Sequence, residues 1–383
     1  MAESTDQFES AAEAADQSVA SFEQDKTLLS RFQSTLHHQP SLVPLIVLVL
    51  AIMIFTATLG TRFLPQMSLV FQQIQIVGIL ALAQSLIILT AGIDLSVGAI
   101  AVFCSVIMGQ FTFRYGVPPS VAIMCGFVVG TALGAVSGWL VSRVKIPPFI
   151  ATLGLWQIVL ATNYIYSKNE TIRPRDIREN APVLQWLGNK PNEQIVNTIE
   201  AARGITYERV RPPSTDQFWL DLLWQTKITY GVLVLIILTI ILAYVLRSTA
   251  WGRHVYAVGD DPEAAELAGV NVKGTLMSVY MLSGFICALA AWVMIGRLGS
   301  VSPAASTGVV GNIQSITAVV IGGISLFGGR GSIWGAFFGA LIVGVFELGL
   351  RMAGANAQWT YLIIGGLIIG AVAVDQWIRK VSA

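Results

Sequence analysis

From Ser41 onward the chain alternates long apolar runs with short polar breaks. A run of about 17–25 apolar residues is long enough to cross a bilayer as a helix. Such runs fall at roughly 41–59, 70–90, 95–113, 118–141, 147–166, 228–247, 275–296, 310–327, 333–352 and 358–375. With no water in the hydrocarbon to satisfy backbone groups, helices are the form these runs take. The pattern predicts an all-α polytopic membrane protein with about ten transmembrane helices.

Charge refines this picture. Between Ser41 and Ser167 the ionisable Asp, Glu, Lys and Arg residues are Arg62, Asp94, Arg114, Arg143 and Lys145. After Gly274 they are Arg297, Arg330, Glu347, Arg351, Asp375, Arg379 and Lys380. Short cytoplasmic loops collect Lys and Arg. Arg143 with Lys145, then Arg247, Arg253 and Lys273, then Arg330, and finally Arg379 with Lys380 fall on one side of an even-numbered bundle. Both termini are then cytoplasmic, and Arg62, Arg114, Arg297 and Arg351 are isolated arginines outside.

Two polar segments flank or interrupt the transmembrane domain, which spans 41–383. Residues 1–40 are acidic, with Glu3, Asp6, Glu9, Glu13, Asp16, Glu23 and Asp25, and lack the basic start and apolar middle of a signal peptide. They are expected to form a cytoplasmic tail. The same orientation places 168–227 outside, as a solvated insertion with short amphipathic helices or as a docking surface. Its many basic residues do not contradict this, because long loops largely escape the positive-inside rule.

One short polar stretch stands out, "GDDPEAAELAGVNVKG" at Gly259–Gly274. Asp261 is a good N-cap, Pro262 fits the first helical position, and Glu263 complements the positive helix end. Ala264, Ala265, Leu267 and Ala268 favour helix, and Gly269 is a natural stop. About two turns cannot hold themselves together in water. The helix needs something to pack on.

A weak internal repeat relates "AGIDLSVG" at Ala91–Gly98 to "GGISLFGG" at Gly322–Gly329. Each follows one apolar run and opens another, and duplicated halves are frequent in transporters. Gly92, Asp94 and Gly98 in the first break, with Gly323, Gly328 and Gly329 in the second, are the candidate gating loops. Asp94 is expected to cap the following helix or to pair with an arginine. A carboxylate beside membrane helices is a functional candidate.

Composition closes several doors. The 383 residues are 54% hydrophobic and 12% charged, with net charge +1, far from the quarter charged of a soluble domain. Cys104, Cys125 and Cys287 lie in apolar runs, and His37, His38 and His254 lack metal-ligand spacing, so no disulfide, metal or nucleic-acid pattern emerges. No lysine follows a glycine, so no phosphate-binding G-x-x-x-x-G-K-[ST] loop exists. There is no catalytic constellation, and this is not an enzyme. Energy must come from another subunit or from an ion gradient. A path for a polar solute would draw on the few intramembrane polar groups: Gln84, Thr152, Trp156, Asn163, Asn312 and Gln314, with Gln72, Gln73, Gln75, Gln157, Thr317 and Phe149 nearby.

"AWGRHVYAVGDDPEAAELAGVNV", "LTAGIDLSVG", "VKIPPFIATLG" and "AVVIGGISLFGGRGSIWGA" together resemble the ribose/xylose/fructose-type permeases of bacterial ABC importers. The resemblance covers nearly all of the chain from Ser41. It implies a type II-like importer permease in the cell inner membrane, acting as a homodimer. A periplasmic sugar-binding protein would deliver a monosaccharide, and a separate ABC ATP-binding subunit would drive transport, so this chain binds no ATP itself. Residues 259–273 would be the cytoplasmic coupling segment. The alternative is a permease for another small polar solute such as a branched-chain amino acid. Two positions depart from the family pattern: Gln314 stands where many relatives carry Glu, and Leu160–Ala161 where many carry Arg-Gly.

Overall fold

The computed structural model describes residues 41–191, 228–303, 306–356 and part of 358–373. The acidic tail, residues 192–227 of the insertion and much of the last apolar run lie outside the described residues. Among the described residues, eight helices are long and apolar enough to span a membrane. We label the α-helices in chain order: α1 (Leu42–Leu59), α2 (Met67–Leu89), α3 (Val97–Tyr115), α4 (Pro119–Ser142), α5 (Pro148–Ser167), α6 (Pro174–Asn180), α7 (Tyr230–Ser248), α8 (Ala250–Asp260), α9 (Pro262–Leu267), α10 (Val272–Leu298), α11 (Ser306–Ile321) and α12 (Ile333–Met352).

The expected runs correspond to α1–α5, α7 and α10–α12, with one correction. The run expected at 310–327 ends as a helix at Ile321. Gly322 and Gly323 leave it, and a tight loop closes on the Ser325 N–H to Arg330 carbonyl bond at 3.0 Å. Apolar composition extends past Ile321, but the glycines turn the backbone before it does.

The inner helices are α2, α3, α10 and α12, while α1, α4, α5 and α7 lie at the periphery. The most extensive packing is α4 on α10. Gly126, Gly130, Gly134 and Gly138 repeat every four residues down one face of α4. A Cβ on Gly130 would meet the Gly284 carbonyl oxygen at 2.6 Å, and one on Gly134 would collide with the Tyr280 carbonyl. Small residues here let two backbones touch, the general means of helix association where lipid offers no hydrophobic incentive.

The loops sort onto two faces. The loop after α2, the α4–α5 loop, the α8–α9 segment and the loop after α11 share one face: Leu95 N–H donates to Thr152 at the start of α5, and Tyr256 of α8 donates to the Gly331 carbonyl. On the opposite face, Ile172 and Val301 exchange backbone hydrogen bonds. There Ile177, Ala181, Leu184 and Leu187 are buried, and Trp186 stacks on Tyr230 at 4.8 Å. The start of the insertion is therefore folded against the bundle. Arg114 pairs with Glu170 at 2.7 Å and donates to the Tyr166 carbonyl. The end of α5 supplies the carbonyl and the start of the insertion supplies the carboxylate. Glu347 and Arg351 form the i,i+4 pair their spacing allows, at 2.9 Å.

Replacing Gly134 by Leu is expected to destabilise the fold by about 1–3 kcal/mol through overpacking, whereas Val128→Leu, at an outward position that is 69% exposed, leaves it unchanged. Thermal melting of the two variants in detergent measures the difference. Equal melting temperatures would contradict the tight α4–α10 seam.

Candidate functional site

The site is built at the helix breaks. α2 stops at Leu89, and the chain passes through Ala91 with positive φ before α3 begins. Backbone left unwound inside a bundle must be satisfied by side chains. Four polar residues do so for Ile93–Gly98. Thr152 of α5 accepts from Leu95 N–H at 3.1 Å and donates to the Ile93 carbonyl at 3.1 Å. Asn312 of α11 donates to the Leu95 carbonyl and accepts from Gly98 N–H. Gln84 of α2, with its amide oriented to satisfy both groups, donates to the Asp94 carbonyl and accepts from Asp94 N–H. The Asp94 carboxylate accepts from Ser96 N–H and the Ser96 hydroxyl, both at 2.6 Å.

Asp94 thus departs from the expected cap. It bonds Ser96, the residue before α3, and no side-chain cap closes the first turn of α3. Nor is an arginine its partner among the described residues: those that form ion pairs, Arg114, Arg175 and Arg351, pair with glutamates. A two-residue backbone bend lets the short carboxylate reach only its own loop. The buried Tyr280 hydroxyl has no partner among the described residues and faces this loop, 3.1 Å from where a Cβ on Gly92 would stand.

The second break meets the first. Gly329 N–H donates to the Leu89 carbonyl at 3.0 Å. Gly259, the penultimate residue of α8, lies against both: a Cβ there would overlap the Leu89 carbonyl oxygen and stand 2.7 Å from Gly329 N. A Cβ on Gly328 would in turn strike the Gly259 carbonyl and stand 2.8 Å from the Ala91 Cβ. The two repeat-like breaks and the end of α8 form one close-packed junction of backbones.

The α8 helix was missed in the sequence. Its signal is an amphipathic spacing: Gly252, Val255, Val258 and Gly259 are buried, while Arg253, His254 and Asp260 are exposed. Trp251 donates to Ser278 of α10 at 2.8 Å, which locks α8 to the bundle.

From this junction α9 projects. The Asp261 carboxylate accepts from Glu263 N–H and Ala264 N–H, at 2.9 and 3.0 Å, so Pro262 occupies the first helical position as expected. At the other end Gly269, with φ +86°, closes a Schellman motif: Gly269 N–H donates to the Glu266 carbonyl and Val270 N–H to the Ala265 carbonyl. Ala265 is buried, whereas Pro262, Glu263, Ala264, Glu266, Ala268 and Gly269 are exposed. Leu267 is 91% exposed.

Of the candidate path residues, Gln84, Thr152 and Asn312 converge on the first break. Asn163 lies elsewhere on α5, donating to the Pro303 carbonyl at 2.8 Å while its Oδ1 has no partner among the described residues. Trp156 and Gln314 are half-buried. Asn312→Leu would strip the partners from two main-chain groups, each worth about 1–3 kcal/mol when left unpaired. It is expected to lower the melting temperature in detergent clearly. Gln314→Leu should change stability by no more than about 0.5 kcal/mol, and equal effects would contradict the bracing role of Asn312.

Comparison with known proteins gives consistent matches. A family model described as "Branched-chain amino acid transport system / permease component" matches residues 66–372. The fructose import permease protein of Rhizobium meliloti is 57% identical over 385 residues, covering 100% of this chain and 98% of that protein. The ribose import permease protein of Escherichia coli K12 is 30% identical, covering 89% of this chain and 94% of that protein. The xylose transport system permease protein of the same strain is 30% identical, covering 88% and 92%. No solved structure matches the chain.

Proposed function

Because this chain belongs to the family of branched-chain amino acid transport system permease components, we propose that it is the membrane-spanning subunit of an ABC importer for a monosaccharide. It is a multi-pass transport protein and not an enzyme. The family description names amino acids, but relatives matched along nearly their whole length are named for fructose, ribose and xylose import, which favours a sugar. In this reading residues 259–273 are the cytoplasmic coupling segment, and the 168–227 insertion faces the periplasm. Residues 41–383 form the permease domain, behind a cytoplasmic tail at 1–40, with about ten spans in the inner membrane. A periplasmic binding protein delivers the sugar to two copies of this chain, and ATP-binding subunits drive the cycle.

The observation that carries the proposal is α9. Six residues cannot remain helical alone in water, yet this helix is capped at both ends and leaves Leu267 almost fully exposed. A capped, projecting apolar tip fits a cleft on a soluble subunit. The ATP-binding subunit supplies the missing packing, and Asp261, Pro262, Glu263, Ala264, Ala265, Leu267 and Gly269 make up the contact. Motion of that subunit enters the bundle where Gly259 touches both helix breaks. Gly92, Asp94, Gly98, Gly323, Gly328 and Gly329 then move as a gate. The chain contributes no covalent step. Its partners stabilise its inward-facing and outward-facing states differently, which is what drives alternating access.

Leu267→Arg and Glu263→Arg are expected to abolish ATP-driven fructose uptake into vesicles while leaving membrane insertion intact. Normal uptake by both variants would overturn the coupling role of α9. Asp94→Ala should impair uptake more than Glu347→Ala, whose side chain pairs with Arg351 at the surface. Assaying the two side by side tests the gate, and the reverse ranking would exclude Asp94 from it.

A further inference from the structure

Buried polar groups without a partner are few in folded proteins, and each one that persists needs a physical reason. Two lie at the first helix break. One is the Tyr280 hydroxyl of α10, on a residue 1% exposed and with no partner among the described residues. The other belongs to Asp94, which is also buried. Both Ser96 bonds fall on its Oδ1, so its Oδ2 accepts no hydrogen bond among the described residues. The hydroxyl stands 3.1 Å from where a Cβ on Gly92 would be, two residues before Asp94, and within reach of the Asp94 charge. An open donor thus lies near an open acceptor with no bond between them.

Tyr280 is also placed to follow α9. The α10 helix begins at Val272, five residues after α9 ends at Leu267. Tyr280 lies eight residues further on, about 12 Å along the helix. Its backbone is closely set against α4: a Cβ on Gly138 would stand 3.0 Å from the Tyr280 Cβ, and one on Gly134 would collide with the Tyr280 carbonyl. The first break is held from other helices, by Gln84 of α2, Thr152 of α5 and Asn312 of α11. A shift of α9 that moves α10 therefore moves the hydroxyl relative to the Asp94 loop. Packed elements of this kind pass between discrete arrangements rather than deform continuously.

We propose that Tyr280 is the latch of the first break: when the ATP-binding subunits close on nucleotide, its hydroxyl donates to Asp94 Oδ2, and this structure is the state with the latch open. The inference rests on the importer reading above and adds the residue that positions Asp94 within it. A hydrogen bond to a carboxylate is stronger than one between neutral groups. Forming it favours the nucleotide-bound state, and the cost of the unpaired hydroxyl falls on the open state alone.

The test is thermal melting of the complete transporter in detergent, without nucleotide and with ATP trapped by orthovanadate. Tyr280→Phe keeps the ring and removes only the hydroxyl. It is expected to melt no lower than the unaltered chain without nucleotide, because no bond is lost there, and to show a smaller rise when ATP is trapped. A rise equal to that of the unaltered chain would overturn the latch, and so would a lower melting temperature without nucleotide. Asp94→Ala removes the acceptor instead and keeps the test decisive should Tyr280→Phe fail to assemble. Its rise is also expected to be smaller, and a rise equal to the unaltered chain's would again overturn the latch. Adding Tyr280→Phe to Asp94→Ala should reduce the rise no further, since both remove one bond. A further reduction would show that the two side chains act separately, against the proposal. Fructose uptake into vesicles by the unaltered transporter is measured in parallel. Absent uptake with a rise that depends on Tyr280 would count against the sugar import reading and leave the latch standing. Intact uptake with a rise indifferent to Tyr280 would remove the latch alone.

Discussion

One backbone hydrogen bond, from Gly329 N–H to the Leu89 carbonyl, fixes how the two helix breaks of this protein stand relative to one another. Leu89 ends α2, and Gly329 lies in the loop before α12, so the bond ties the first helix break to the second across most of the length of the chain. Gly259 closes the third side, so near that even a methyl group would overlap the Leu89 oxygen. Such a contact transmits displacement because no side chain intervenes to absorb it. Packed interiors have little compressibility, and here the packing is backbone on backbone.

The junction can exist inside an apolar bundle only because the polar groups it exposes are bonded. Gln84, Thr152 and Asn312 reach from three helices to hold the loop between α2 and α3, and Asp94 binds Ser96 within it. These residues brace the break. A polar solute crossing the bundle would need other groups, because these are already engaged.

Much of this was legible in the sequence, for physical reasons that differ from element to element. Apolar length identified the spans, and the local chemistry of Asp261, Pro262 and Gly269 fixed α9, since caps act over a few residues. Composition alone extended the helix at 310–327 too far, because the residues beyond Ile321 remain apolar and only the glycines turn them aside. The long-range bonds of Asn312 and Thr152 were not legible. Both looked like path residues because a lone polar side chain in an apolar run reads the same whether it faces a solute or a neighbouring backbone. The pairing of Arg114 was not legible for a related reason: its partner Glu170 comes from an insertion whose return to the bundle leaves no local signature. Gly259 was read only as the start of the polar stretch, since a close approach between distant segments is set by the fold.

The account's central claim is that force from α9 enters the bundle through the contact of Gly259 with Leu89 and Gly329. Its most direct test is the ratio of fructose imported to ATP hydrolysed by the complete transporter carrying Gly259→Ala. The account predicts that hydrolysis persists while import falls, because α9 still binds its driver but the added methyl group loosens the junction. An unchanged ratio in an assembled, hydrolysing complex would contradict it.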